Sequence, residues 1–282
     1  MRIVKLRDIS ELKTGPFGTQ FRASEYVTEG IPVINVKNIG YGSLLVSGLD
    51  HVSENTLERL SEHKLQEGDI VFGRKGSVDR HCLIRKGQDG WMQGSDCIRV
   101  RFTDAIVYPE FVSYYLLTDA VKMKINNSAV GSTMASLNTD ILGDIDIILP
   151  DCEEQKRIAL ILGTIDKKIS NNNQINDYLC AQLQILFSYL FNISVMPESW
   201  TQGVLADIAN ITMGQSPSGE SFNTQGNGYP FYQGSTDFGT IFPAKRMYTD
   251  KPSRYAAVFD TLLSVRAPVG SLNIAYENCC IG

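Results

Sequence analysis

The stretch from Gly73 to Lys86 carries Arg74, Lys75, Arg80, Arg85 and Lys86 against one acid, Asp79, with His81 inside it. A guanidinium offers paired N–H donors to a guanine edge or a phosphate, and a lysine ammonium reaches either as a point charge. Three other stretches carry donors of the same kind. "KTGPFGTQF" (Lys13–Phe21) brings Lys13, Thr14, Thr19 and Gln20 beside Gly15 and Gly18, which permit close backbone approach. Gln20 has the bidentate amide that suits adenine. "NNSAVGSTMAS" (Asn126–Ser136) offers Ser132 and Thr133 as neutral donors to a phosphate. Lys37, with Asn35 and Asn38, follows a strand-like run. Each stretch also reads as an ordinary solvated turn.

Motifs for catalysis are lacking. "GDIVFGRK" has no Gly-Lys-Ser/Thr ending, no Gly-x-Gly-x-x-Gly follows a strand, and no Asn-Pro-Pro-Tyr/Phe run occurs. "PDCEEQK" (Pro150–Lys156) combines Pro-Asp with Glu-x-Lys, but Asp151 and Glu154 fall within one helical turn, where a capped helix start explains them. Three scattered histidines argue against a His-rich metal site, and the adjacent Cys279 and Cys280 cannot easily chelate one ion. The expectation is a non-enzyme with no metal and no cofactor of its own.

The elements that must carry these turns come next. Apolar content of 43% and charged content of 20% describe an ordinary globular chain. The net charge of −5 excludes a globally basic nucleic-acid binder and leaves room for a local basic face. No apolar run is long enough for a membrane span, and six cysteines without a Cys-x-x-Cys pair suit a reducing cytoplasm. Over residues 1–150 short strand-like runs alternate with Gly-rich turns. They are "IPVINVKNIG" (Ile31–Gly40), "GDIVFG" (Gly68–Gly73), the alternating "CIRVRF" (Cys97–Phe102) and "DIDIILP" (Asp144–Pro150). "YPEFVSYYLLTDAVKMKI" (Tyr108–Ile125) has helical spacing behind a Pro. The fold class is therefore α+β.

From 151 to 192 the character changes to a long Pro-free helix. Ile158, Leu162, Ile165, Ile169, Asn172, Asn176, Leu179, Leu183, Leu186 and Leu190 step by 4 and 3, a coiled-coil-type seam that "SNNNQIN" (Ser170–Asn176) either breaks or tunes. Beyond it, over 193–282, the first region recurs in order. "KLRDISELKTGPFG" matches "VLADIANITMGQSPSG", "GIPVINV" matches "GYPFYQG", "DIVFGRKGSVD" matches "DTLLSVRAPVG" with Lys75 facing Arg266, and "MQGSD" matches "CIG". A repeat of such length means two related domains.

"GSTMASLNTDILGDIDIILPDCEEQKRIALILGTIDKKI" (Gly131–Ile169) closely resembles the central region of specificity subunits of type I restriction–modification systems, and "SVRAPVGSLNIAYENCCIG" (Ser264–Gly282) resembles their second-domain segment. The resemblance implies a globular target recognition domain over 1–150, a spacer helix over 151–192 and a partial, truncated second recognition domain over 193–282. It implies a non-catalytic reader of double-stranded DNA. Each recognition domain docks in the major groove of one half of a bipartite target, and the helices act as a ruler and seat methyltransferase subunits. Methyltransferase and restriction partners supply S-adenosylmethionine-dependent methylation and ATP- and Mg²⁺-dependent cleavage. On that footing Lys13, Thr14, Gln20, Lys37, Arg74, Lys75, Arg80, His81, Ser132 and Thr133 are candidate DNA contacts. Ile158, Leu162, Ile165, Ile169, Leu179, Leu183, Leu186 and Leu190 form the interface seam, which a second copy of the chain would cover. The competing readings are a coiled-coil assembly protein without a DNA role and an enzyme acting alone on DNA.

Overall fold

The computed structural model describes residues 2–129, 135–192, 197 and 199–282. They divide into two compact units, Met1–Tyr189 and Leu190–Gly282. In the first, the strands are β1 (Arg2–Lys5), β2 (Ser10–Thr14), β3 (Tyr26–Val27), β4 (Ile31–Ile34), β5 (Tyr41–Gly42), β6 (Asp50–Val52), β7 (Ile70–Gly73), β8 (His81–Leu83), β9 (Met92–Gln93), β10 (Cys97–Phe102) and β11 (Asp146–Leu149). The helices are α1 (Leu6–Ile9), α2 (Glu54–Arg59), α3 (Pro109–Leu116), α4 (Asp119–Ser128), α5 (Thr139–Gly143) and α6 (Cys152–Leu190).

A five-stranded sheet in the order β2-β10-β7-β8-β5 stands beside a four-stranded sheet, β3-β6-β4-β9, and β1 pairs with β11. The apolar run of β7 is buried along its whole length because it lies in the middle of the larger sheet. Strand β10 departs from simple alternation. Arg99 points inward and is buried, its Nη1 donating to Glu62 O at 2.8 Å and its Nη2 to Glu11 Oε1 at 2.8 Å. The expected single helix over Tyr108–Ile125 is two. Thr118 takes an extended conformation between α3 and α4, and its hydroxyl donates to Tyr115 O. The strand expected over Ile31–Gly40 ends at Ile34, where a 3₁₀ turn, Val36–Asn38, begins. There Asn38 Oδ1 accepts the Asn35 N–H at 3.2 Å.

The two sheets cross where β2 leaves for the next turn. Gly15 N–H donates to Cys97 O and Gly94 N–H to Ile34 O, each at 2.9 Å. A Cβ on Gly15 would lie 1.9 Å from Gly94 O, and one on Gly94 would lie 2.2 Å from Asn35 Oδ1.

Helix α6 is continuous through "SNNNQIN". At about 1.5 Å per residue its 39 residues extend about 58 Å. Asp151 caps it by accepting the Glu154 N–H, and Glu153 and Glu154 lie at its positive end. Only its first turns rest on unit 1. Gln155 and Ala159 are buried, and Tyr114 Oη donates to Asp166 Oδ2 at 2.7 Å. Ile158, read as the first seam residue, packs against the unit 1 core. This corrects its assignment, since the 3.6-residue stripe facing the core overlaps the seam there. From Leu160 onward the large apolar residues are exposed, Leu183 at 64% and Leu186 at 52%. Among the described residues no helix is long and apolar enough to cross a membrane.

In the second unit the strands are β12 (Phe222–Asn223), β13 (Tyr229–Tyr232), β14 (Met247–Thr249), β15 (Tyr255–Ala256), β16 (Thr261–Leu263), β17 (Leu272–Ile274) and β18 (Cys279–Ile281). Their internal pairing repeats that of unit 1. Strands β12-β14-β13-β18 follow the same order as β3-β6-β4-β9, including the one parallel pair of each set, β4 with β9 and β13 with β18. In the hairpins, Ile70 faces Leu83 and Phe72 faces His81, as Thr261 faces Ile274 and Leu263 faces Leu272. The Asp that opens each repeated element closes a turn: Asp69 Oδ2 accepts the Gln66 N–H and Asp260 Oδ2 the Ala257 N–H, both at 2.8 Å. The glycine crossing recurs too, with a Cβ on Gly214 reaching 2.8 Å from Gly282 O.

Candidate nucleic-acid interface

The basic turn lies between β7 and β8, whose antiparallel pairing fixes both of its ends. Gly76 has φ +79°, a left-handed conformation that suits glycine and lets the chain reverse. Backbone bonds strap the turn down. Arg74 N–H donates to Asp96 O at 2.8 Å, Leu137 N–H to Arg74 O at 2.8 Å, and Gly76 N–H to Ala135 O at 3.0 Å. The segment 135–137 therefore lies beside the turn, while Ser132 and Thr133 lie outside the described residues.

Arg74 and Arg80 are half-buried, and neither makes an ion pair among the described residues; the Nε of each is buried without a hydrogen-bond partner. Lys75 is exposed and reaches Asp96 at 3.1 Å, with both side chains about half in water, a pairing of little energetic weight. The Val36–Asn38 turn abuts this region, since Val36 Cγ1 is the nearest atom to a Cβ built on Gly73. Lys37 is exposed but pairs with Asp50 at 2.8 Å; that hydrogen bond holds the Asp50 carboxyl below its usual range. Lys13 pairs with Glu62, and Thr14 sits half-buried on β2 opposite Ile98. Gln20 is exposed, with its carbonyl tied to α2 by Arg59 Nη1 at 2.7 Å. No hydrogen bond or ion pair among the described residues joins Gln20 to the Arg74 turn.

His81 is misassigned by the sequence reading. It is wholly buried and packs on Phe72 with ring centroids 5.2 Å apart; its Nε2 lies 3.0 Å from Ser113 Oγ and 3.1 Å from Ser113 O. As the first residue of β8 it lies inside, whereas Arg80 before it is only half-buried. Burial pushes its pKa down from 6.5 to about 4, against the opposing hydrogen bond to Ser113. Between these values the unfolded chain takes a proton that the folded chain refuses. Stability is therefore full above pH 6.5 and declines as pH falls toward 4. At about 1.4 kcal/mol per unit the loss is on the order of 3 kcal/mol. Urea denaturation at pH 7.5, 6, 5 and 4 checks this: the His81→Gln variant is expected to lack this part of the decline, and parallel profiles for the two proteins would refute it.

Two residues that the sequence did not single out join Arg80. Tyr41 on β5 stands opposite His81, half-exposed. The Arg80 guanidinium carbon is 5.3 Å and Lys122 Nζ, from α4, 5.1 Å from its ring centroid. The "GYG" turn was the only signal for Tyr41; Lys122 looked like any solvated helix lysine. All six cysteines are unpaired, and burial pushes the Cys82 thiol up to about 12.

Residues 1–180 match the family model described as type I restriction modification DNA specificity domain. The chain is 30% identical over 279 residues to a Methanocaldococcus jannaschii protein named as the MjaX specificity subunit of a type I restriction enzyme, a match covering 90% of this chain and 64% of that protein. It is 25% identical over 175 residues to the MjaVIII specificity subunit of the same organism, covering 59% of this chain and 40% of the other. The chain thus spans less than two thirds of either relative. Among solved structures, the S subunit of a type I restriction–modification system from M. genitalium shares the fold with a TM-score of 0.55 at 16% identity, over 99% of this chain and 70% of that one.

Proposed function

Because the chain belongs to the type I restriction–modification DNA specificity family, we propose that it is the sequence-reading subunit of such a system and reads part of a bipartite target in double-stranded DNA. The observation that carries this reading is the strapped turn at Arg74–Arg80, whose two guanidinium groups have no acidic partner among the described residues. Their unused donors match guanine edges and phosphates. Its counterpart, the β16–β17 turn, carries Arg266, which supports a second reading unit facing the other half of the target. Half-site spacing then follows unit spacing, with α6 as the spacer. In this reading the chain is non-catalytic and cytoplasmic. S-adenosylmethionine, ATP and Mg²⁺ act on methyltransferase and restriction partners, and the exposed face of α6 docks a second copy of the chain.

Fluorescence anisotropy of the full chain with a duplex pool tests the reading. Binding is expected to weaken with salt, by a log–log slope of about −0.9 per phosphate contacted. Arg74→Ala with Lys75→Ala is expected to lose about tenfold or more in affinity, with an unchanged circular dichroism spectrum because neither side chain makes a buried ion pair and the turn is held by backbone hydrogen bonds. Salt-insensitive binding, or an unaltered affinity in the folded double variant, would refute it. Turnover of DNA by the purified chain alone, given Mg²⁺, ATP and S-adenosylmethionine, would contradict the non-catalytic role.

A further inference from the structure

We propose that Tyr41, Arg80 and Lys122 together bind one phosphodiester anion of the DNA backbone, a contact that sets the register of the duplex and reads no base. The proposal rests on the DNA-reading role above and adds a site to it. Three elements converge here: the edge strand β5, the residue preceding β8, and helix α4. Both cations are held over the same ring, at 5.3 and 5.1 Å, by attraction to its π-face. Neither has an ion-pair partner among the described residues, and Arg80 Nε is buried with no acceptor. Asp79, the acid beside Arg80, instead accepts from Tyr41 Oη, at the long distance of 3.5 Å. That leaves the phenol free to turn toward a better acceptor. His81 beneath them is held neutral by burial and adds no charge.

Two like charges over one ring repel each other, and an anion bound by the outer nitrogens of Arg80 and by Lys122 Nζ offsets that repulsion. Phosphate fits because a guanidinium binds it bidentately and an ammonium binds it as a point charge. Such contacts position a protein on the duplex without carrying sequence information.

The test measures binding of the full chain to a fluorescein-labelled random-sequence duplex across a KCl series. Arg80→Gln and Lys122→Gln are each expected to reduce the log–log salt slope, and the two together by about 0.9, the value for the one phosphate they share. Tyr41→Leu, which removes the ring that holds both cations, is expected to lower affinity as well. Lys168→Gln, an equal loss of charge on the long helix, is the reference and is expected to keep the wild-type slope. Salt-sensitive wild-type binding with an unchanged slope in both Arg80→Gln and Lys122→Gln overturns this site alone. Wild-type protein with no salt-sensitive affinity for duplex DNA overturns the DNA-reading role and this site with it.

Discussion

Arg101→Ala is expected to destabilise the first unit by about 3–5 kcal/mol, the usual result of stranding one member of a buried ion pair. Asp69 is 1% exposed at its side chain, and Arg101 grips it with Nε to Oδ1 at 2.8 Å and Nη2 to Oδ2 at 2.6 Å. Once the guanidinium is gone, the carboxylate retains only the Gln66 N–H as a donor. Domains of this kind are stable by about 5–15 kcal/mol in total, so the loss is at least about a fifth of that. Urea denaturation followed by circular dichroism measures it. Replacing both partners, Asp69→Asn with Arg101→Met, is expected to recover much of the deficit, since no charge is then left buried. A cost under about 1 kcal/mol for Arg101→Ala alone would mean that water reaches Asp69 freely, and that the pair is a surface one.

Leu179→Asp with Leu186→Asp is expected to abolish self-association and leave residues 1–150 folded. The exposed stripe of α6 includes Leu162, Ile165, Ile169, Leu179, Leu183, Leu186 and Leu190. Each such side chain left fully in water costs about 1.5–3 kcal/mol relative to burial. The seam repeats every seven residues, and a like helix bearing the same repeat interlocks with it. Packing antiparallel about a two-fold axis makes the interface self-complementary and closed. Such a dimer would present two symmetry-related copies of the first unit and, under the proposed DNA-reading role, would favour a palindromic split site. Sedimentation velocity at tens of micromolar decides the matter: wild-type protein is expected to run as a dimer and the double variant as a monomer. A monomeric wild type would overturn the assignment.

The repeat was legible because its matched segments keep their order along the chain. The residue matches "GIPVINV" with "GYPFYQG" and "DIVFGRKGSVD" with "DTLLSVRAPVG" fall on strands with matching pairing in the two units. What could not be read was the direction of single side chains. His81 looked like an extension of the basic turn, yet it is the first residue of β8, a strand buried along its whole length. Arg99 looked like the polar face of an alternating strand, and buried hydrogen bonds hold it inside instead. Ile158 satisfied the seven-residue spacing and packs, half-buried, against the core, because at the start of α6 both stripes share that residue. Tyr41 and Lys122 lie far apart in sequence and meet only through the placement of β5 and α4. No local pattern could have joined them.

The glycine crossings set out what can be rewritten in this protein. At Gly15, Gly94 and Gly214 a Cβ would press against a backbone atom closer than side chains tolerate. The turn at Arg74–Arg80 has no such crowding around Gly76, where a Cβ would meet nothing within 4 Å, although its backbone there still calls for glycine. A frame of this kind separates address from envelope. Libraries that randomise Arg74, Lys75 and Ser77 while keeping Arg80 and the crossing glycines would sample new target preferences on an intact scaffold. Libraries that touch the crossings would yield mostly unfolded chains, and any apparent change of preference among them would be a loss of protein.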